Sequence, residues 1–160
     1  MSLSKNILGI DPGSISTGYG LLSVQNNQAK FVECGVIQPK TDNIADKLAI
    51  IFSSVQEIIQ QFKPVELAIE KVFISRNPDS ALKLGQARGA AIIAAGVKQI
   101  AVFEYSANEI KKAVVGRGHA SKEQVQTMIT MLLALKQQPP SDAADALACA
   151  LCHINNQKFI

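Results

Sequence analysis

Apolar positions come in three short runs before any helical spacing sets in. Ile7-Leu8-Gly9-Ile10 is an unbroken apolar stretch that ends on Asp11 and then on Pro12-Gly13, the pattern of a strand buried on both faces and stopped by a turn. Thr17-Gly18-Tyr19-Gly20-Leu21-Leu22-Ser23-Val24 and Phe31-Val32-Glu33-Cys34-Gly35-Val36-Ile37 predict two more strands, joined by a hairpin turn at Asn26-Asn27. The period then changes. Ile44, Leu48, Ile51, Phe52, Val55, Ile58, Ile59 and Phe62 recur at three- and four-residue spacing, which predicts an amphipathic helix with a cap at Asp42-Asn43 and an end at Lys63-Pro64.

A second buried strand, Val65-Glu66-Leu67-Ala68-Ile69-Glu70, also finishes on an acid. Strand, crossover helix and strand imply a parallel pair with a right-handed connection, so Asp11 and Glu70 come side by side if the two strands are neighbours. Asn77-Pro78 opens a helix that runs to about Gly96 and is rich in small residues. Its alanine and glycine face admits close approach, either by the chain's own sheet or by a second copy of the helix, and a dimer contact is the expectation. Ile100-Ala101-Val102-Phe103-Glu104 is a short strand, Ser106 caps a short helix carrying Lys111 and Lys112, and Gly116-Arg117-Gly118-His119-Ala120 is a basic loop before a helix capped by Ser121 with Lys122 in its first turn. The last helix follows Pro139-Pro140 and runs from Ser141 to about Asn155, apolar almost all round. Asp142 and Asp145, three apart, share one side of it. As first-turn acids they suit a helix N-terminus, but two acids on an element buried on most of its surface point to a site.

Composition narrows the class. A chain of 160 residues with 48% hydrophobic content suits one domain, residues 1–160, and no run approaches membrane-spanning length. The N-terminus lacks a signal-peptide pattern, and the three cysteines argue against a disulfide framework, so the expected compartment is the cytoplasm with no membrane partner. Cys149-Ala150-Leu151-Cys152-His153 matches the haem-attachment pattern, yet it lies inside the apolar helix and reads as core packing. Charge is uneven: residues 71–122 hold nine Lys/Arg against three Asp/Glu, whereas residues 1–70 hold five against seven. Such a basic middle third is either a solvated surface or a phosphate-binding face.

Asp11, Glu70, Asp142 and Asp145 therefore converge at one end of the predicted sheet. Four carboxylates close together repel, and protons or cations must relieve them. Without a competing His/Cys ligand set they suit hard divalent ions, Mg²⁺ first and Mn²⁺ second. Two ions about 4 Å apart stabilise both the attacking and the leaving oxygen of an in-line displacement at phosphorus. Beside a basic surface, the residues thus point to a metal-dependent phosphodiesterase acting on nucleic acid. Phe73, three residues past Glu70, is either a core residue or an exposed aromatic able to stack on or wedge between bases.

Gly9-Ile10-Asp11-Pro12-Gly13-Ser14, Thr17-Gly18-Tyr19-Gly20, Ala68-Ile69-Glu70, Val72-Phe73, the run from Asp79 to Gly89, and Asp142-Ala143-Ala144-Asp145-Ala146-Leu147-Ala148 resemble, in order, the RuvC family of bacterial Holliday-junction resolvases. The resemblance implies an α/β, ribonuclease H-like fold with a five-stranded mixed sheet flanked by helices, a homodimer, and Mg²⁺-dependent paired nicking of a four-way DNA junction with two ions per site. It places the catalytic and metal-binding acids on Asp11, Glu70, Asp142 and Asp145, the base-contacting aromatic on Phe73, and junction-binding lysines on Lys111 and Lys122. Arg76, Lys112 and Arg117 are further candidates for DNA contact. The branch-migration proteins RuvA and RuvB are the implied partners. Rival classes are an actin-like nucleotide-binding domain, a related nuclease acting on RNA or hybrids, and a junction-binding module without catalysis.

Overall fold

The computed structural model describes residues 3–72, 77–157 and 159. The chain opens with strands β1 (Lys5–Asp11), β2 (Thr17–Gln25) and β3 (Gln28–Ile37), continues through α1 (Ile44–Phe62), β4 (Glu66–Glu70), α2 (Pro78–Val97), β5 (Ala101–Tyr105), α3 (Ala107–Val115) and α4 (Lys122–Leu132), and closes with α5 (Ser141–Asn156). The boundaries follow the local chemistry. Asn26 and Asn27 both take positive φ in the β2–β3 hairpin, the conformation its two-residue turn requires. Asn43, Asn77, Ser106 and Ser121 each cap a helix by accepting backbone N–H groups, and Ser121 with Gln124 completes a capping box.

The five strands form one sheet in the order β3-β2-β1-β4-β5. The β1–β2 and β2–β3 pairs are antiparallel, while β1–β4 and β4–β5 are parallel. β1 and β4 are therefore neighbours, and their carboxyl ends lie side by side as the crossover pattern requires. Alternation then sorts residues between the two faces. Leu8, Ile10, Leu67 and Ile69 pack toward α1 and α2, whereas Ile7 and Ala68 pack toward α3, α4 and α5. By the same period of two, Asp11 and Glu70 point to the α5 face.

The small-residue helix α2 divides its two kinds of small residue. Ala87, Ala91, Ala94 and Ala95 are buried in the chain's own core with α1 and the sheet, so the alanine part of the face expected at a dimer contact is taken up internally. Gly85 and Gly89 stand on the open side with nothing within 4 Å of an added Cβ, beside exposed Leu82, Ile93 and Val97. No described helix is long and apolar enough to cross a membrane.

Candidate active site

The distance between α5 and the sheet is set by residues that have no side chain. A Cβ on Gly9 would lie 2.0 Å from the carbonyl oxygen of Ala146, and one on Gly18 would lie 2.0 Å from that of Asp142. The helix therefore rests almost directly on the backbone of β1 and β2. Gly18 is also the register partner of Asp11. One close approach thus brings the first turn of α5, with Asp142, over the strand end that carries Asp11.

The consequence is a tight acidic group. Carboxylate oxygens of Asp11, Asp142 and Asp145 lie within 4.8 Å of one another, all three residues half-buried. Glu70 lies outside that trio but lines the same cleft, a cavity of about 460 Å³ whose walls include Ser14, Ser16, Ser80, Lys111, Lys122 and Cys149. Burial, then the charges of Asp145, Glu70 and Asp142, push the Asp11 carboxyl up to about 8, and the positive charge of Lys122 only partly offsets them. Glu70 and Asp145 are shifted upward too, each first by burial, with Lys111 and Lys122 pulling the other way. Three carboxylates this close, with Asp11 and Asp145 pushed toward their neutral forms despite the nearby lysines, fit a hard divalent cation that takes the place of the proton.

All four predicted acids therefore meet in one cleft. Lys111 and Lys122 stand against them, whereas Lys112 and Arg117 are exposed and are not among the cleft's lining residues. Phe73 and Arg76 lie outside the described residues. Cys149 is buried, as expected of a core residue, but it also forms part of the cleft wall, and burial holds its thiol well above the usual range.

Two supports were not read from the sequence. Arg88 of α2 donates from Nε to the backbone carbonyl of Glu70 at 3.1 Å and pairs with Glu104 of β5, so a half-buried guanidinium holds the end of β4. Its sole sequence signal is a basic residue on an otherwise small, apolar helix face. At the opposite end of α5, buried His153 lies 2.5 Å through Nε2 from Oε2 of Glu66 and 2.6 Å through Nδ1 from the Tyr105 hydroxyl. All three groups are satisfied when Nε2–H donates to the carboxylate and Nδ1 accepts from the phenol.

A mixed five-stranded sheet of this order, with acids gathered at its strand ends under a crossing helix, defines a ribonuclease H-like nuclease that uses divalent metal. Residues 7–153 match the family described as Crossover junction endodeoxyribonuclease RuvC. Relatives of that name from Psychromonas ingrahamii and Shewanella oneidensis are 52% and 54% identical, in each case over 96% of this chain, and over 89% and 90% of their own lengths. The chain belongs to the RuvC family of crossover junction endodeoxyribonucleases. Among solved structures, Thermus thermophilus RuvC in complex with a Holliday junction substrate is similar with a TM-score of 0.85 and 35% identity, over 93% of this chain and 92% of that one. The yeast mitochondrial Holliday junction resolvase Ydc2, at 13% identity and a TM-score of 0.64 over 96% of this chain and 80% of its own, shares the fold.

Proposed function

We propose that residues 1–160 form one nuclease domain that resolves four-way DNA junctions by paired, symmetric nicks, with Mg²⁺ held by Asp11, Glu70, Asp142 and Asp145. The observation that carries this reading is the meeting of the four acids in one cleft with Lys111 and Lys122 beside them. Two divalent ions there, with Mn²⁺ able to replace Mg²⁺, supply positive charge for the attacking and leaving oxygens of an in-line displacement at phosphorus. The chain's own groups do the rest. Lys111 and Lys122 contact the phosphates on either side of the scissile bond, Arg88 keeps Glu70 at the cleft, and hydrolysis leaves 5′-phosphate and 3′-hydroxyl ends. Lys112, Arg117 and Arg76 extend the basic path to the arms of the junction, and Phe73 contacts bases at the crossover.

One cleft makes one nick, and a symmetric junction needs two, so the working form is a homodimer. The exposed stripe of Leu82, Gly85, Gly89, Ile93 and Val97 along α2 supports that surface as the contact. RuvA and RuvB are the partners that deliver the junction, in the cytoplasm. The test is a four-way junction labelled on each strand in turn, incubated with Mg²⁺ or with chelator. Paired nicks in two strands of like polarity, lost with chelator and in Asp11→Asn while junction binding persists, are the expected result. Near-normal nicking by Asp11→Asn overturns the assignment, and preferential cutting of an RNA hybrid overturns the substrate.

A further inference from the structure

The turn between β1 and β2 touches the acidic group at a point that strand pairing does not require. Ser16 donates from Oγ to Oδ2 of Asp142 at 2.5 Å, a contact between residues 126 apart in sequence. The turn that carries Ser16 is itself fixed. Gly13 passes so close that a Cβ there would lie 2.2 Å from the Ser16 carbonyl oxygen. Lys47 of α1 donates from Nζ to the Ser14 carbonyl at 3.1 Å. Thr17, the next residue, is fully buried as the first of β2. The hydroxyl therefore comes from a rigid place.

A carboxylate on a helix's first turn is free to turn about its last side-chain bond, and its two oxygens exchange places. A hydroxyl that engages one oxygen from a fixed direction removes that freedom. We infer that Ser16 is a positioning residue for the metal centre: it holds one oxygen of Asp142 so that the other faces the divalent cation beside Asp11 and Asp145. Groups that hydrogen-bond a metal's carboxylate ligands change its affinity by about 10- to 100-fold when removed. The inference rests on the acids holding a divalent cation, and its test separates the two.

The full chain is compared with Ser16→Ala, Ser16→Thr and Asp142→Asn. Mn²⁺ binding without DNA is followed by the spin-resonance signal of the free ion, and junction nicking is followed across a Mg²⁺ titration. Ser16→Ala is expected to weaken Mn²⁺ binding about tenfold and to raise the Mg²⁺ needed for half-maximal nicking by a similar factor, with KM for the junction at saturating Mg²⁺ unchanged. Ser16→Thr, which keeps the hydroxyl, restores both, and Asp142→Asn loses more than Ser16→Ala. If Ser16→Ala lowers only the melting temperature and binds Mn²⁺ within twofold of the parent, the contact is a staple between turn and helix and the inference fails. It also fails if Ser16→Thr matches Ser16→Ala. If Asp142→Asn binds Mn²⁺ like the parent, the metal reading fails first and takes the inference with it.

Discussion

Adding a single methyl group at Gly18 tests the link between packing and chemistry. The Cβ of Gly18→Ala would lie 2.0 Å from the Asp142 carbonyl oxygen, 2.3 Å from its carbon and 2.9 Å from the Ala143 nitrogen. All three are backbone atoms, so no side chain can swing aside. Ordinary contact begins near 3.4 Å, so the first turn of α5 must back away by about 1.4 Å. Overpacking of this kind costs about 1–3 kcal/mol, occasionally more. The chemical cost is of similar size, because the retreat carries Asp142 and Asp145 away from Asp11, and a misplacement of about 1 Å can slow a reaction about 10²-fold, about 2.7 kcal/mol. Thermal unfolding in chelator and single-turnover nicking in saturating Mg²⁺ read the two effects separately. Gly20→Ala provides a graded comparison, since its closest neighbours are Leu147 side-chain atoms at 2.6 and 2.7 Å and the nearest backbone atom, the Leu147 nitrogen, lies at 2.9 Å rather than 2.0 Å. A Gly18→Ala protein with the parent's melting temperature and nicking rate would refute the claim that backbone contact sets the acids' spacing.

Three further outcomes follow from named groups. Because Asp11 is raised from 3.8 to about 8, the folded metal-free protein holds a proton between those values that the unfolded chain has released. Its stability therefore falls as pH rises from about 4 to about 8 and levels off above that, and Mg²⁺ affinity rises over the same range as cation replaces proton. Melting curves in chelator and Mg²⁺ titrations at pH 6, 7 and 8.5 check both, and a Mg²⁺ midpoint that ignores pH refutes the shift. Thiol titration of the native chain should modify half-buried Cys34 well ahead of buried Cys149 and Cys152, with all three reacting in denaturant; equal native rates would mean that α5 is not seated. Gly89→Arg, at a position with open space around it, should leave the fold intact and shift sedimentation from dimer to monomer, and a persisting dimer would move the contact off α2.

What the sequence makes legible depends on how far apart the interacting residues are. Asp11 and Glu70 were readable because each ends an apolar run, and a strand-helix-strand unit has one usual handedness. Asp142 and Asp145 were readable because acids are out of place on a helix otherwise apolar all round. The caps at Asn43, Asn77, Ser106 and Ser121 involve neighbours three residues away and needed no tertiary knowledge. Ser16 and Arg88 are different: a serine in a Ser/Thr-rich turn and an arginine on a helix look solvent-facing until folding supplies partners 126 and 18 residues away. The two sides of α2 stayed ambiguous for a related reason. Alanine and glycine both permit close approach, and only the packed core shows that the alanines are used internally while Gly85 and Gly89 are left open.

His153 was legible only as part of an irrelevant motif, yet it completes the placement of the site. Glu66 and Glu70 stand at the two ends of β4 on one face, about 13 Å apart at the rise of a strand. Asp145 and His153 stand eight residues apart on α5, about 12 Å at the rise of a helix. The two spans match, and α5 lies across the sheet with its first turns over the strands' carboxyl ends and its last turn over their amino ends. Glu66 anchors the far end through His153 and Tyr105, while Gly9 and Gly18 fix the height along the way. The near end carries the opposite electrostatics: Glu70 meets Asp145 as a like charge and raises the energy of the metal-free cleft. A helix tied at its carboxyl end alone could pivot and carry its first-turn acids away from the strand ends. Tied to Glu66 through His153 and seated along the way on the backbone at Gly9 and Gly18, α5 keeps Asp142 and Asp145 in place, and the repulsion is left for a cation to relieve. The same strand thus supplies the acid that calls for metal at one end and an acid that ties down the facing helix at the other.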